Sequence, residues 1–88
     1  MLQQTTIIAY LDAIVSEGTF TQAAKSLYIS QPYLSKTITK LEDELQTKLV
    51  ERNRTPIELT YAGERFLTHR KKMQNQYEDM VNEFTMIT

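Results

Sequence analysis

The sequence has no cysteine, two glycines, two prolines and one histidine among 88 residues. Without thiols it can form no disulfide and no thiolate zinc site, which fits a reducing compartment. Gly18 and Gly63 are too scattered to build a glycine-rich phosphate loop. His69 stands between Thr68 and Arg70 with no acid beside it, so it reads as a solvated surface residue rather than a catalytic base. Glu42-Asp43-Glu44 reads as a charged outer helix face, because adjacent helical residues do not face one another. The longest apolar run, Ile7 to Leu11, is far short of the ~20 residues that span a bilayer. The amino end lacks the basic start and apolar stretch of a secretory signal. The absences point away from an enzyme, a metal, a cofactor and a membrane, and toward a soluble cytoplasmic protein. With 41% hydrophobic and 24% charged residues, the chain has the balance of one globular domain rather than of a disordered segment.

A formal net charge of −1 argues against a nucleic-acid partner until its distribution is read. Between Thr19 and Lys40 the only charges are Lys25, Lys36 and Lys40. Arg52 and Arg54 outweigh Glu51 in the next polar stretch, and Arg65, Arg70, Lys71 and Lys72 outweigh Glu58 and Glu64 after it. The acids gather at residues 42–44 and again at Glu78, Asp79 and Glu83. A near-neutral total therefore leaves room for one basic face.

Periodicity predicts four helices and a hairpin. Ile7, Leu11, Ile14 and Val15 form an apolar stripe on a first helix over Gln3–Glu17, which Gly18 ends. Thr19 and Gln22 have capping-box spacing and open a short helix, Phe20–Leu27, whose inner face is Phe20, Ala23, Ala24 and Leu27. Tyr28-Ile29 make a turn. Ser30 then caps a third helix running to about Leu45, with Pro32 in its first turn and Leu34, Ile38, Leu41 and Leu45 toward the core. Val50 on one side and Ile57 and Leu59 on the other flank a polar loop, Arg52 to Pro56, and read as two short strands of a projecting hairpin. Thr60 caps a last helix from Tyr61 onward.

The fold class expected is mainly α, a winged helix-turn-helix with a three-helix core and a two-stranded β-wing, followed by a long linker helix. The winged domain occupies residues 1–60 and the linker helix, continuous with it, residues 61–88. In a helix-turn-helix the second helix of the motif enters the major groove and its first residues meet base edges. Gln pairs with adenine, Lys with guanine and Ser with either, while apolar atoms touch the thymine methyl. Gln31, Pro32, Ser35 and Lys36 supply that set, and Thr39 and Lys40 extend the same outer side.

Three stretches, Gly18-Thr19-Phe20-Thr21-Gln22-Ala23-Ala24, Leu27 to Lys36 and Leu41-Glu42-Asp43-Glu44-Leu45, closely resemble the N-terminal domain of LysR-type transcriptional regulators. The resemblance continues through Leu49-Val50-Glu51-Arg52, Leu59-Thr60 and Ala62-Gly63, and covers Ile7 to about Leu67 without a gap. It implies a bacterial regulator that binds double-stranded DNA sequence-specifically, with Gln31, Pro32, Ser35 and Lys36 as recognition surface. It also implies that Arg52 and Arg54 belong to a wing approaching the minor groove. Members are typically much longer and carry a periplasmic-binding-protein-like domain for a small-molecule inducer, so an inducer enters only with such a further domain.

The chain departs from the family pattern in places. Lys36 replaces a usual arginine, exchanging a bidentate fork for a point charge. Gln46 stands where many members have glycine, which predicts a different turn into the wing. Val50 replaces a common phenylalanine and trims the core beneath the wing. Thr55 takes the place of a wing arginine, with Arg54 one position earlier. Tyr33 replaces a small residue and is expected either to pack on the second helix or to touch a phosphate.

On the last helix Phe66, Arg70, Met73, Tyr77, Met80, Phe84 and Ile87 step by alternating fours and threes, a heptad stripe broken only by Arg70. With the winged core expected to close by about Thr60, that stripe needs a partner. A second copy of the chain is the simplest, giving a dimer through Phe66, Met73, Tyr77, Met80, Phe84 and Ile87 on an interrupted palindromic operator. Two rivals stay open: a winged-helix module that binds protein, and a stand-alone fragment that inhibits full-length relatives by mixed dimerisation.

Overall fold

The computed structural model describes residues 2–87, with side chains from Thr6 onward; Met1 and Thr88, the outer ends of the two expected segments, lie outside the described residues. The element order is α1 (Leu2–Glu17), α2 (Phe20–Leu27), α3 (Gln31–Leu45), β1 (Val50–Glu51), β2 (Glu58–Leu59) and α4 (Tyr61–Ile87).

Each junction has a local cause. Gly18 ends α1 with φ +83, and its N–H donates to the Ile14 carbonyl at 3.0 Å. Its carbonyl accepts from the Ile57 N–H at 2.9 Å, which fastens the far arm of the wing to this turn. Thr19 Oγ1 accepts from the Gln22 N–H at 3.1 Å and Ser30 Oγ from the Tyr33 N–H at 3.2 Å, each satisfying an orphan amide at a helix start. Between α2 and α3, Tyr28 takes the left-handed conformation (φ 58), and the Ile29 N–H returns to the Ala24 carbonyl at 3.1 Å. Ile29 packs back on the core, so the reversal is only three residues long.

The core is Leu11 and Ile14 from α1, Ala23 and Ala24 from α2, Leu34 and Ile38 from α3, and Val50 and Ile57 from the wing. The two small alanines of α2 let it pack closely against both α1 and α3. The wing is one antiparallel pair, Val50 opposite Leu59 and Glu51 opposite Glu58, and the Thr55–Pro56 bond in its loop is cis. Thr60 closes the wing, its hydroxyl donating to the Lys48 carbonyl (2.7 Å) and accepting from the Gly63 N–H (2.9 Å). Gly63 is required there, because a Cβ on it would overlap the Leu49 carbonyl oxygen.

Four expectations need correction. Val15 is 41% exposed; it diverges by ~100° from Ile14, which takes the core position, so the α1 stripe is narrower than read. Leu45 is 43% exposed, because the last turn of α3 runs past the layer that buries Leu34 and Ile38. Glu42 is not on the outer face: it is 2% exposed, one turn beyond Ile38, and faces groups that need an acceptor. The packed domain also runs past Thr60, since Phe66 and Leu67 on the first two turns of α4 pack against the core. Lys71 Nζ lies 3.6 Å from Asp12 Oδ1 and ties α4 to α1 further along.

Candidate nucleic-acid interface

The start of α3 is exposed and polar, and the turn before it is short enough to leave it uncovered. Gln31, Pro32, Tyr33, Lys36, Thr39 and Lys40 are exposed and Ser35 is half-buried. Lys36 and Lys40 are one helical turn apart, and among the described residues neither has an ion-pair partner. Lys25, exposed in the last turn of α2, adds a third cation. Thr37 turns its hydroxyl back to the Tyr33 carbonyl at 2.8 Å and so belongs to the helix itself. Tyr33 is 55% exposed and lies beside Tyr10 of α1. Burial, then the Tyr33 hydroxyl, push the Tyr10 phenol above its ordinary range.

Glu42 organises the wing root. Its Oε2 accepts from the Leu49 N–H at 2.7 Å and the Val50 N–H at 3.3 Å, two amides where the chain leaves α3 and enters β1. Its Oε1 receives Arg52 Nη2 at 3.3 Å. Periodicity did carry this signal, since residue 42 is four after Ile38 and eight after Leu34. The residue type hid it, because a carboxylate is buried only where donors await it.

Arg52 is equally committed. Nη1 donates to Ser35 Oγ at 2.9 Å, Nη2 also donates to Thr39 Oγ1 at 3.0 Å, and the guanidinium lies 4.6 Å from the centroid of the Phe20 ring. One side chain of the wing thus reaches both α2 and α3, and fixes the wing relative to the exposed start of α3. Arg54 behaves differently. At the wing tip its one ion-pair partner among the described residues is Glu58 at 3.2 Å, with 65% of its side chain exposed, a contact of the kind that exchanges readily.

Gln46 supplies another outcome. The turn that glycine would make is retained, with Gln46 left-handed at φ 57, its N–H bonded to the Asp43 carbonyl (3.3 Å) and its side-chain amide to the same oxygen (2.6 Å).

Along α4 the heptad residues divide. Phe66 packs on its own domain and carries the Arg70 guanidinium 5.7 Å over its ring. Tyr77 is half-buried, whereas Met73 (43%), Met80 (46%), Phe84 (58%) and Ile87 (69%) are exposed. Arg70 Nε and Gln74 Oε1 are covered without a partner among the described residues. At 1.5 Å per residue, α4 is ~40 Å long and outruns the core it starts on. Among the described residues no helix is long and apolar enough to cross a membrane, and no cluster of His, Asp and Glu has metal-binding geometry.

Residues 6–64 match the family described as bacterial regulatory helix-turn-helix protein, lysR family. The HTH-type transcriptional regulator BsdA of Bacillus subtilis is 40% identical over 77 residues, 86% of this chain and 27% of that protein. BenM of Acinetobacter baylyi, also an HTH-type transcriptional regulator, is 39% identical over 75 residues, 85% of this chain and 25% of BenM. The chain spans about a quarter of the length of these relatives. Among solved structures, the BenM DNA-binding domain in complex with benA site 1 DNA superposes with a TM-score of 0.79 at 35% identity, covering 100% of this chain and 99% of that one. The CbnR DNA-binding domain–DNA complex gives 0.78 at 29% identity, covering 99% of this chain and 97% of that one.

Proposed function

The chain belongs to the lysR family of bacterial regulatory helix-turn-helix proteins and has the DNA-binding fold that serves transcription regulation in that family; from this premise we propose how it engages its operator. The start of α3 enters the major groove, where Gln31, Pro32, Ser35 and Lys36 meet base edges while Thr39 and Lys40 face the backbone. Arg54 at the wing tip leaves Glu58 for the neighbouring minor groove. Arg52 contributes by holding the wing at a fixed offset from α3. The observation that carries this reading is the uncovered start of α3, braced against a wing, with lysines on its outer side that have no ion-pair partner among the described residues. Those free cations also weigh against a module that binds protein through the same helix. The chain is no enzyme in this reading; it acts in the cytoplasm on the nucleoid, and an inducer enters only through a domain outside these residues.

Two copies act together. Met73, Tyr77, Met80, Phe84 and Ile87 form a stripe beyond the reach of the protomer's own core, and such exposed apolar strips mark interaction surfaces. A two-fold axis along α4 buries the strip against itself and presents two α3 helices to half-sites ~34 Å apart or a multiple of that.

Titration of a fluorescent duplex at several salt concentrations tests the proposal. Lys25, Lys36, Lys40 and Arg54 bring about four cations per protomer against the duplex and displace its counterions, so a dimer gives a log–log slope of about −7. A slope near zero under conditions that bind DNA contradicts it. Ser35→Ala and Lys36→Ala change which bases are preferred, by ~1–3 kcal/mol at the affected position, while Lys25→Ala weakens binding to all sequences alike.

A further inference from the structure

A serine hydroxyl has one O–H and two lone pairs and ordinarily rotates to suit its surroundings, so in the major groove it meets donors and acceptors alike. Ser35 lacks that freedom. Arg52 Nη1 already donates to its oxygen at 2.9 Å, and a guanidinium offers only donors. The Ser35 hydrogen must turn away from that cation. The charge also polarises the O–H into a better donor and makes the remaining lone pair a poorer acceptor. Arg52 cannot move aside easily, being held by Thr39 Oγ1 at 3.0 Å, by the buried Glu42 carboxylate at 3.3 Å and by the face of Phe20. Neither Ser35 nor Thr39 donates back to its own helix among the described residues, as Thr37 does. Ser35 is one turn closer than Thr39 to the exposed helix start, so it is the hydroxyl within reach of bases.

Resting on the duplex-binding reading above, we infer that Arg52 is a positioning residue that makes Ser35 a hydrogen-bond donor. The base position Ser35 faces is then read as an acceptor: N7 or O6 of guanine, N7 of adenine or O4 of thymine. The amino groups of cytosine and adenine are disfavoured there, because they would place a second donor on an oxygen that already accepts from a cation.

The test uses a duplex site selected by the wild-type protein from a random pool, with analogue bases introduced one position at a time. 7-Deazapurines remove N7, 2-aminopurine removes the guanine O6 and 4-thiothymine weakens O4; purine and 2-pyrimidinone remove the amino groups of adenine and cytosine. One position per half-site should lose about fivefold or more in affinity when its acceptor is removed, and Ser35→Ala should be nearly indifferent to the same change. In Arg52→Met/Glu42→Gln, which removes the cation without stranding a buried carboxylate, that discrimination should shrink. If a melt shows this double variant unfolded, the Ser35→Ala comparison decides alone. Ser35-dependent sensitivity to an amino group overturns the inference. So does a selected site at which Ser35→Ala changes no base preference or weakens every sequence equally, and both results leave duplex binding intact. A pool from which nothing is selected overturns the duplex-binding reading itself.

Discussion

Replacing Glu42 by alanine should cost more than any surface substitution in this protein. The carboxylate is 2% exposed and accepts from Leu49 N–H, Val50 N–H and Arg52. Removing it leaves two backbone donors and part of a guanidinium without their acceptor at the junction of α3 and β1. Deleting one partner of a buried pair typically costs ~3–5 kcal/mol, a large share of the ~5–15 kcal/mol that holds a small domain together. For a chain of this size each kcal/mol lowers Tm by roughly 4–8 °C, so Glu42→Ala should melt at least ~12 °C below wild type. Glu42→Gln keeps an acceptor for the Leu49 amide and should lie between the two. Urea unfolding followed by far-UV circular dichroism gives the free energies, and thermal melts the temperatures. A Glu42→Ala protein within ~0.5 kcal/mol of wild type, the range of ordinary surface changes, would refute the assignment of Glu42 as the acceptor that organises the wing root.

Gln46→Gly should stabilise by ~0.5–1 kcal/mol in the same urea assay, because glycine takes the left-handed turn without the Cβ penalty; destabilisation would mean that the Gln46 side-chain bond to Asp43 outweighs backbone strain. Gly63→Ala should destabilise by ~1–3 kcal/mol, since the new methyl must push α4 off the Leu49 carbonyl, and a neutral result would contradict the close crossing. The raised Tyr10 phenol keeps its proton in the fold after the unfolded chain has begun to release it near pH ~10. Stability should therefore fall as pH rises above ~10, and Tyr10→Phe should flatten that fall. Met80→Lys with Phe84→Lys should give a folded monomer by analytical ultracentrifugation that binds single half-sites poorly; a monomeric wild type at high concentration, with DNA affinity unchanged in the double variant, would remove the dimer.

What the sequence discloses depends on how local the physics is. Thr19, Ser30 and Thr60 act as caps because a cap depends on residues three positions away, and all three are legible from spacing alone. The buried face of α3 is legible as far as Ile38. Beyond it, Glu42 is buried for amides seven and eight residues later in the chain, a cause no helical wheel contains. The same limit hid Arg52. A cation on a wing reads as a DNA contact until its bonds to Ser35 and Thr39, 17 and 13 residues earlier, are known. Phe66 fits the heptad of α4 and also the core, and only the packing assigns it to the core.

Selecting bound sequences from a random duplex pool asks directly whether two copies of this fold read a duplex through the start of α3. Two inverted half-sites are expected, their centres ~34 Å apart or a multiple of that along the helix axis, with an altered half-site preference for Lys36→Ala. A pool that stays random while the protein retains duplex, or an enriched sequence that Lys36→Ala and Ser35→Ala both read unchanged, would contradict it.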